Sequence, residues 1–147
     1  MVHWARARDR KGHPLKATEL LQELPELPTP WNVDTLCARL AVRRGRPLLV
    51  HDLAIPALPS GLWYDDGERD HIVCRAGLSG YYRDHVILHE ICHMLAGHNA
   101  GTSPVPRATE YTAQQEELAE TFAAKVLKQA RTAVSRFEQR SALVFGI

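Results

Sequence analysis

The sequence predicts an α+β fold in which a small, mostly antiparallel sheet packs on helices. Three observations carry this prediction. Apolar residues recur at helical spacing in two stretches, 33–41 and 119–130. Between these stretches lie three short apolar runs bounded by turn residues, at 48–53, 62–64 and 71–74. A further segment, 86–96, is apolar nearly all round and is interrupted by two histidines and a glutamate, which describes a helix buried on most of its surface.

Residues 1–30 read as an arm and linker. Leu20, Leu21, Leu24 and Leu27 fit one short amphipathic helix beginning near Thr18, which Pro25, Pro28 and Pro30 end. The basic cluster Arg6, Arg8, Arg10 and Lys11 reads as a solvated face. Asn32 is placed to cap a helix whose apolar residues Val33, Leu36, Cys37, Leu40 and Ala41 share one face, and Gly45 stops it. Arg43 and Arg44 fall in its last turn, where cations complement the helix dipole. Leu48 to Leu53 reads as a buried strand, and Ile55 to Gly61, with two prolines, as a loop. Leu62-Trp63-Tyr64 and His71-Ile72-Val73-Cys74 flank Asp65-Asp66-Gly67 and so predict two adjacent strands joined by a turn. Helix is expected again over 84–96, stopped by Gly97. Pro104 and Pro106 mark a loop, and a last helix covers 112–130. Residues 131–147 are expected to form a further helix or a tail, so that 31–130 is the core of a single 147-residue domain.

Composition narrows the function classes. Apolar residues are 45% and charged residues 24% of the chain, which excludes disordered, collagenous and disulfide-scaffold classes. Eighteen Lys and Arg against 17 Asp and Glu leave a net charge of +1, so no domain-wide grip on nucleic acid is expected. No stretch reads as a signal peptide or a membrane span, and the expectation is a cytoplasmic protein. Cys37, Cys74 and Cys92 contain no C-x-x-C pair and read as small buried apolar residues.

The chemistry concentrates at His89-Glu90-Ile91-Cys92-His93, an H-E-x-x-H match. On a helix His89 and His93 are one turn apart on the same face, the spacing at which two imidazoles share one tetrahedral ion. Within an apolar helix these polar groups cost several kcal/mol unless something satisfies them, and a zinc ion does so. A catalytic zinc takes three protein ligands and leaves one position for water. The extended H-E-x-x-H-x-x-G-x-x-H pattern fails, because Ala96 and Asn99 occupy the Gly and His positions and His98 comes one residue too early. After His98 the chain has no His and no Asp, so a downstream ligand is Glu110, Glu116, Glu117, Glu120 or Glu138. On the last helix Glu116 lies near the edge of the apolar stripe, Glu117 points almost the opposite way, and Glu120 is the second choice. Glu116 is therefore the expected third ligand, with Glu120 a partner that supports a ligand from outside. A fourth ligand at His85 would close the site, and His3, His13, His51 and His71 have no spacing that asks for metal.

The segment from His89 to His98, followed by Glu116-Glu117-Leu118-Ala119-Glu120-Thr121-Phe122-Ala123, resembles the ImmA/IrrE family of small zinc metallopeptidases. The resemblance implies a zincin-like core with an H-E-x-x-H helix and a downstream helix that carries the glutamate ligand, again Glu116. Two positions depart from the family: Cys92 stands where glycine is usual, and Glu120 where Asp or Asn is usual. The resemblance also implies a protein substrate, a helix-turn-helix transcriptional repressor. No helix-turn-helix segment is present in the chain, so such a repressor is expected to be a separate chain.

The function expected is a zinc-dependent endopeptidase in which Glu90 acts as general base and is not a ligand. Tyr111, Tyr81, Tyr82 and His98 are candidate donors to the oxyanion. Either 62–64 or 71–74 is expected to align an extended peptide by main-chain pairing. The alternative is a non-proteolytic zinc-containing interaction module, an anti-repressor or toxin-antitoxin component. Glu90 weighs against it, because a structural site has no use for a carboxylate beside its ligands.

Overall fold

The structure is a computed structural model and describes residues 13–54, 61–98 and 111–145, with side chains for all of these except 134–138 and 141–145. The basic cluster at the start, the loops around Pro56 and around Pro104 and Pro106, and Glu110 lie outside the described residues, as does the side chain of Glu138. Among the described residues the order is α1 (Ala17–Leu21), α2 (Val33–Arg44), β1 (Leu48–Leu53), β2 (Gly61–Asp65), β3 (Asp70–Arg75), α3 (Gly80–Ala96) and α4 (Ala113–Phe145). The α+β class is as expected. None of these helices is long and apolar enough to cross a membrane.

Local signals set the element ends. The Asn32 side chain accepts the Thr35 N–H at 2.9 Å, a cap that stabilises a helix by about 1 kcal/mol, and Gly45 stops α2 in the left-handed region. Helix α3 begins four residues before the expected Asp84, at Gly80, following Ser79. The question left at 131–147 resolves into continuation: α4 runs unbroken to Phe145.

The sheet corrects the expected pairing. Strand order is β1-β3-β2, with β2 antiparallel to β3 as predicted but β1 parallel to β3, so the sheet is mixed rather than mostly antiparallel. The chain crosses from β1 to the far edge and returns through the β2–β3 turn to fill the centre. Residues 70–74 are buried without alternation, the pattern of a central strand covered on both faces. The turn is held by aspartates: Asp65 Oδ1 accepts Gly67 N–H at 2.7 Å, and Asp66 Oδ1 accepts Glu68 and Arg69 N–H at 2.9 and 2.7 Å.

Helix α3 lies between two layers, touching β2 and β3 on one side and α1 and α4 on the other. Its nearly all-round apolar character follows, with Ile87, Leu88, Ile91, Cys92, Met94 and Ala96 fully buried. Ala119, Phe122, Ala123 and Val126 supply the facing stripe of α4. All three cysteines are free and buried, and burial raises the Cys37 and Cys92 thiols to about 12.

At the open end of the sheet Asp70, 2% exposed, accepts Arg44 Nη1 and Arg46 Nε on Oδ2, both at 2.9 Å, and Trp63 Nε1 on Oδ1 at 3.0 Å. Arg44 thus does more than complement the dipole of α2: together with Arg46, just past the helix end, it ties α2 to the first residue of β3.

Candidate metal centre

His89 and His93 project from one face of α3, as an i, i+4 pair must, and Glu116 reaches them from the first turn of α4. Glu116 Oε1 lies 2.8 Å from His93 Nε2 and 3.2 Å from His89 Nε2. His89, Glu90 and His93 also offer ligand atoms within 4.8 Å of one another. All three expected ligands therefore meet at one point, with Glu90 beside them. Glu116 is 48% exposed, so the helix-stripe argument chose a glutamate that does reach both histidines but overstated how far inward it points. The carboxylate swings from the stripe's edge across the end of a cleft.

The donor set fits a metal ion. Zn–N and Zn–O bonds of about 2.0–2.1 Å place the ligands of a tetrahedral ion about 3.3 Å apart, near the spacings observed here. Burial, with smaller contributions from His89 and His98, lowers the His93 imidazole to about 2, so it is neutral and holds a lone pair to give. Glu90 is 5% exposed, and its Oε1 is buried with no hydrogen-bond partner. Burial, and then the nearby Glu116 carboxylate, raises Glu90 to about 8. A buried carboxylate with an unpartnered oxygen, beside two imidazoles, is the kind of site where a cation and its water would satisfy the orphaned groups.

The surrounding groups sort the remaining candidates. Glu120 Oε1 lies 2.8 Å from His89 Nδ1, on the ring edge away from Glu116, which is the supporting position expected for it. His85 Nε2 is 3.4 Å from Glu120 Oε2 and is drawn toward that carboxylate. Glu117 is exposed. Tyr111 stacks on the His93 ring, centroids 3.6 Å apart and planes 5° apart, and His98 Nδ1 lies 2.8 Å from His93 Nδ1. Both are neighbours of His93. Tyr81, 59% exposed, lines a separate groove with Trp31 and Leu127.

Tyr82 stands differently. A cleft of about 410 Å³ is lined by Gly61 and Tyr82 together with His89, Glu90, Glu116 and Glu120. Of the four oxyanion candidates, Tyr82 is the one that lines this cleft. Position bears on the expected peptide-pairing strand: both edges of β3 are already paired, so 71–74 has no edge to offer, whereas among the described residues one edge of β2 pairs with no strand. Gly61 opens β2 against α3 so closely that a Cβ there would collide with Val86 and sit 3.3 Å from Glu90 Cγ.

His51 and His71, without metal spacing in the sequence, form a separate chain of contacts. His51 Nε2 meets His71 Nδ1 at 2.9 Å, His71 Nε2 meets Asp66 Oδ2 at 2.7 Å, and Tyr64 stacks on His71. This arrangement braces the β2–β3 turn.

No protein-family model, no curated protein and no solved structure matches this chain.

Proposed function

We propose that this chain is a zinc-dependent endopeptidase of the ImmA/IrrE type, with a zincin-like core and its action in the cytoplasm. The observation that carries the reading is the meeting of His89, His93 and Glu116 at 2.8–3.2 Å beside the buried, unpartnered oxygen of Glu90. Two imidazoles and one carboxylate leave a fourth tetrahedral position open, the donor set of a catalytic rather than a structural zinc. When bound, zinc supplies Lewis acidity and brings the pKa of a coordinated water toward neutrality.

The chain's own residues do the rest. Glu90 accepts the proton of the attacking water and delivers it to the leaving amine, a role its buried position beside the ligand atoms of His89 and His93 allows. Glu120 orients His89 through Nδ1. Tyr82 donates its hydroxyl to the developing oxyanion from the cleft wall. The free edge of β2 pairs with an extended substrate backbone, and the absence of a side chain at Gly61 lets that edge lie against Glu90. The substrate is a protein, a helix-turn-helix repressor on a separate chain.

Glu90→Gln tests this reading. Metal content of the purified variant, measured by elemental analysis, stays at that of wild type. Cleavage of a proteome-derived peptide library, followed by mass spectrometry, falls by about 10²–10⁴-fold. Unchanged biological activity in the Gln variant would support the interaction-module alternative instead.

A further inference from the structure

The end of α3 carries a device that the metal-centre reading leaves unexplained. Gly97, with φ 70°, donates its N–H to Met94 O at 3.2 Å, and His98 donates its N–H to His93 O at 3.0 Å. These are the paired bonds of a Schellman cap, which turns the chain back so that the residue after the glycine lies over the residue five positions earlier. That pair of positions usually holds two apolar side chains in contact. Here it holds His98 and His93, 4% and 0% exposed, and their contact is polar, Nδ1 to Nδ1 at 2.8 Å.

Two ring nitrogens at this distance share one proton, so one donates and the other accepts. The metal ligand atom of His93 is Nε2, the nitrogen 2.8 Å from Glu116. For Nε2 to present a lone pair, the proton of the neutral ring must sit on Nδ1. His98 Nδ1 is then the acceptor, and His98 carries its own proton on Nε2. Tyr111, stacked flat on His93, restricts the ring's rotation but does not select its tautomer. His98 is neither ligand nor oxyanion donor, because its Nδ1 is engaged behind His93 and its side chain lines a different hollow, with Pro14 and Thr112.

We propose that His98 is a positioning residue, delivered by the Gly97 cap, that holds His93 in the Nδ1-protonated tautomer and aims its Nε2 at the metal position. This inference rests on the metal-centre reading. It assigns the last turn of α3 a role in metal affinity that the H-E-x-x-H pattern does not contain.

Competitive titration with Zn²⁺ on the full chain tests it, using wild type, His98→Leu, which keeps bulk without an acceptor, and His98→Asn, whose Oδ1 can take the place of Nδ1. Zn²⁺ affinity falls about 10–100-fold in His98→Leu, and most of it returns in His98→Asn. Equal losses in both variants, as a purely steric role gives, or no loss in either, overturn the proposal. Long-range ¹H–¹⁵N spectra of the zinc-loaded wild type supply a test that needs no variant to fold. They should show His93 protonated on Nδ1 and His98 on Nε2, and a proton on His98 Nδ1 overturns the assignment. A wild-type protein that binds no Zn²⁺ is a different failure, one that removes the metal centre itself.

Discussion

His93 and Glu116, 23 residues apart, meet through Nε2 and Oε1 at 2.8 Å across the packed face of α3 and α4. That contact joins the last turn of one helix to the first turn of another, so the candidate ligand cluster is assembled by the packing of α3 on α4. His93→Ala and Glu116→Ala should each lower Zn²⁺ affinity by more than about 100-fold, beyond the usual loss for an outer partner, whereas Glu117→Ala leaves it unchanged. Competition against a chromophoric chelator reads all three. A Glu117→Ala loss as large as that of Glu116→Ala would defeat the assignment.

Gly61 predicts a second effect. A methyl group there meets the side chain of Val86 and crowds Glu90 Cγ at 3.3 Å, so Gly61→Ala pushes β2 away from α3 at the edge of the cleft. The expected cost is about 1–3 kcal/mol of stability by urea unfolding, with a rise in KM larger than the fall in kcat, since the strand edge rather than the proton-transfer group has moved. Unaltered KM would separate β2 from substrate pairing.

Asp70 predicts a third. Its side chain and that of Arg44 are 2% and 5% exposed, and burial lowers the Arg44 pKa even with Asp70 opposing that shift. Asp70→Ala removes the carboxylate that Arg44, Arg46 and Trp63 share and should destabilise the protein by about 3–5 kcal/mol, the usual result of removing one partner from a buried pair. Chemical denaturation measures this, and a loss under about 1 kcal/mol would mean that the guanidinium escapes to water.

Acid should loosen the β2–β3 turn. The hydrogen bond from His71, then those from the Glu68 and Arg69 N–H groups, hold the Asp66 carboxyl well below its usual range. A carboxylate depressed on folding contributes stability that is complete above its unfolded value of about 4 and is lost as pH falls through its lower folded value. Thermal melts from pH 5 to pH 2 should therefore show a steeper acid decline for wild type than for Asp66→Asn. Parallel curves would remove Asp66 from the acid response.

Each signal that was legible in the sequence was local. Asn32 as cap, Gly45 and Gly97 as stops, the buried character of 86–96 and the one-turn spacing of His89 and His93 all depend on backbone geometry within a few residues. Glu116 came within reach because one helical turn sorts neighbouring glutamates by angle, although angle alone made it more inward than its 48% exposure allows. The contact of His98 with His93 was within reach too, since a histidine four residues before a glycine and a second histidine just after it is the spacing of a Schellman cap.

Tertiary structure alone decided the rest. Hydrophobic pattern marks a strand as buried but does not name its neighbour, so the parallel pairing of β1 with β3, and with it the placing of β2 at the sheet's edge among the described residues, was invisible. Arg44 looked like a dipole partner until β3 brought Asp70, 26 residues away, against it and Arg46. Only the cleft between β2, α3 and α4 separated Tyr82 from the other three oxyanion candidates. Capping and periodicity are set within a turn or two of chain, whereas which side chains face one another across 20 or more residues is set by how the layers pack. The sequence by itself determined a helix with two histidines on one face, and packing against α4 brought the Glu116 carboxylate onto that face.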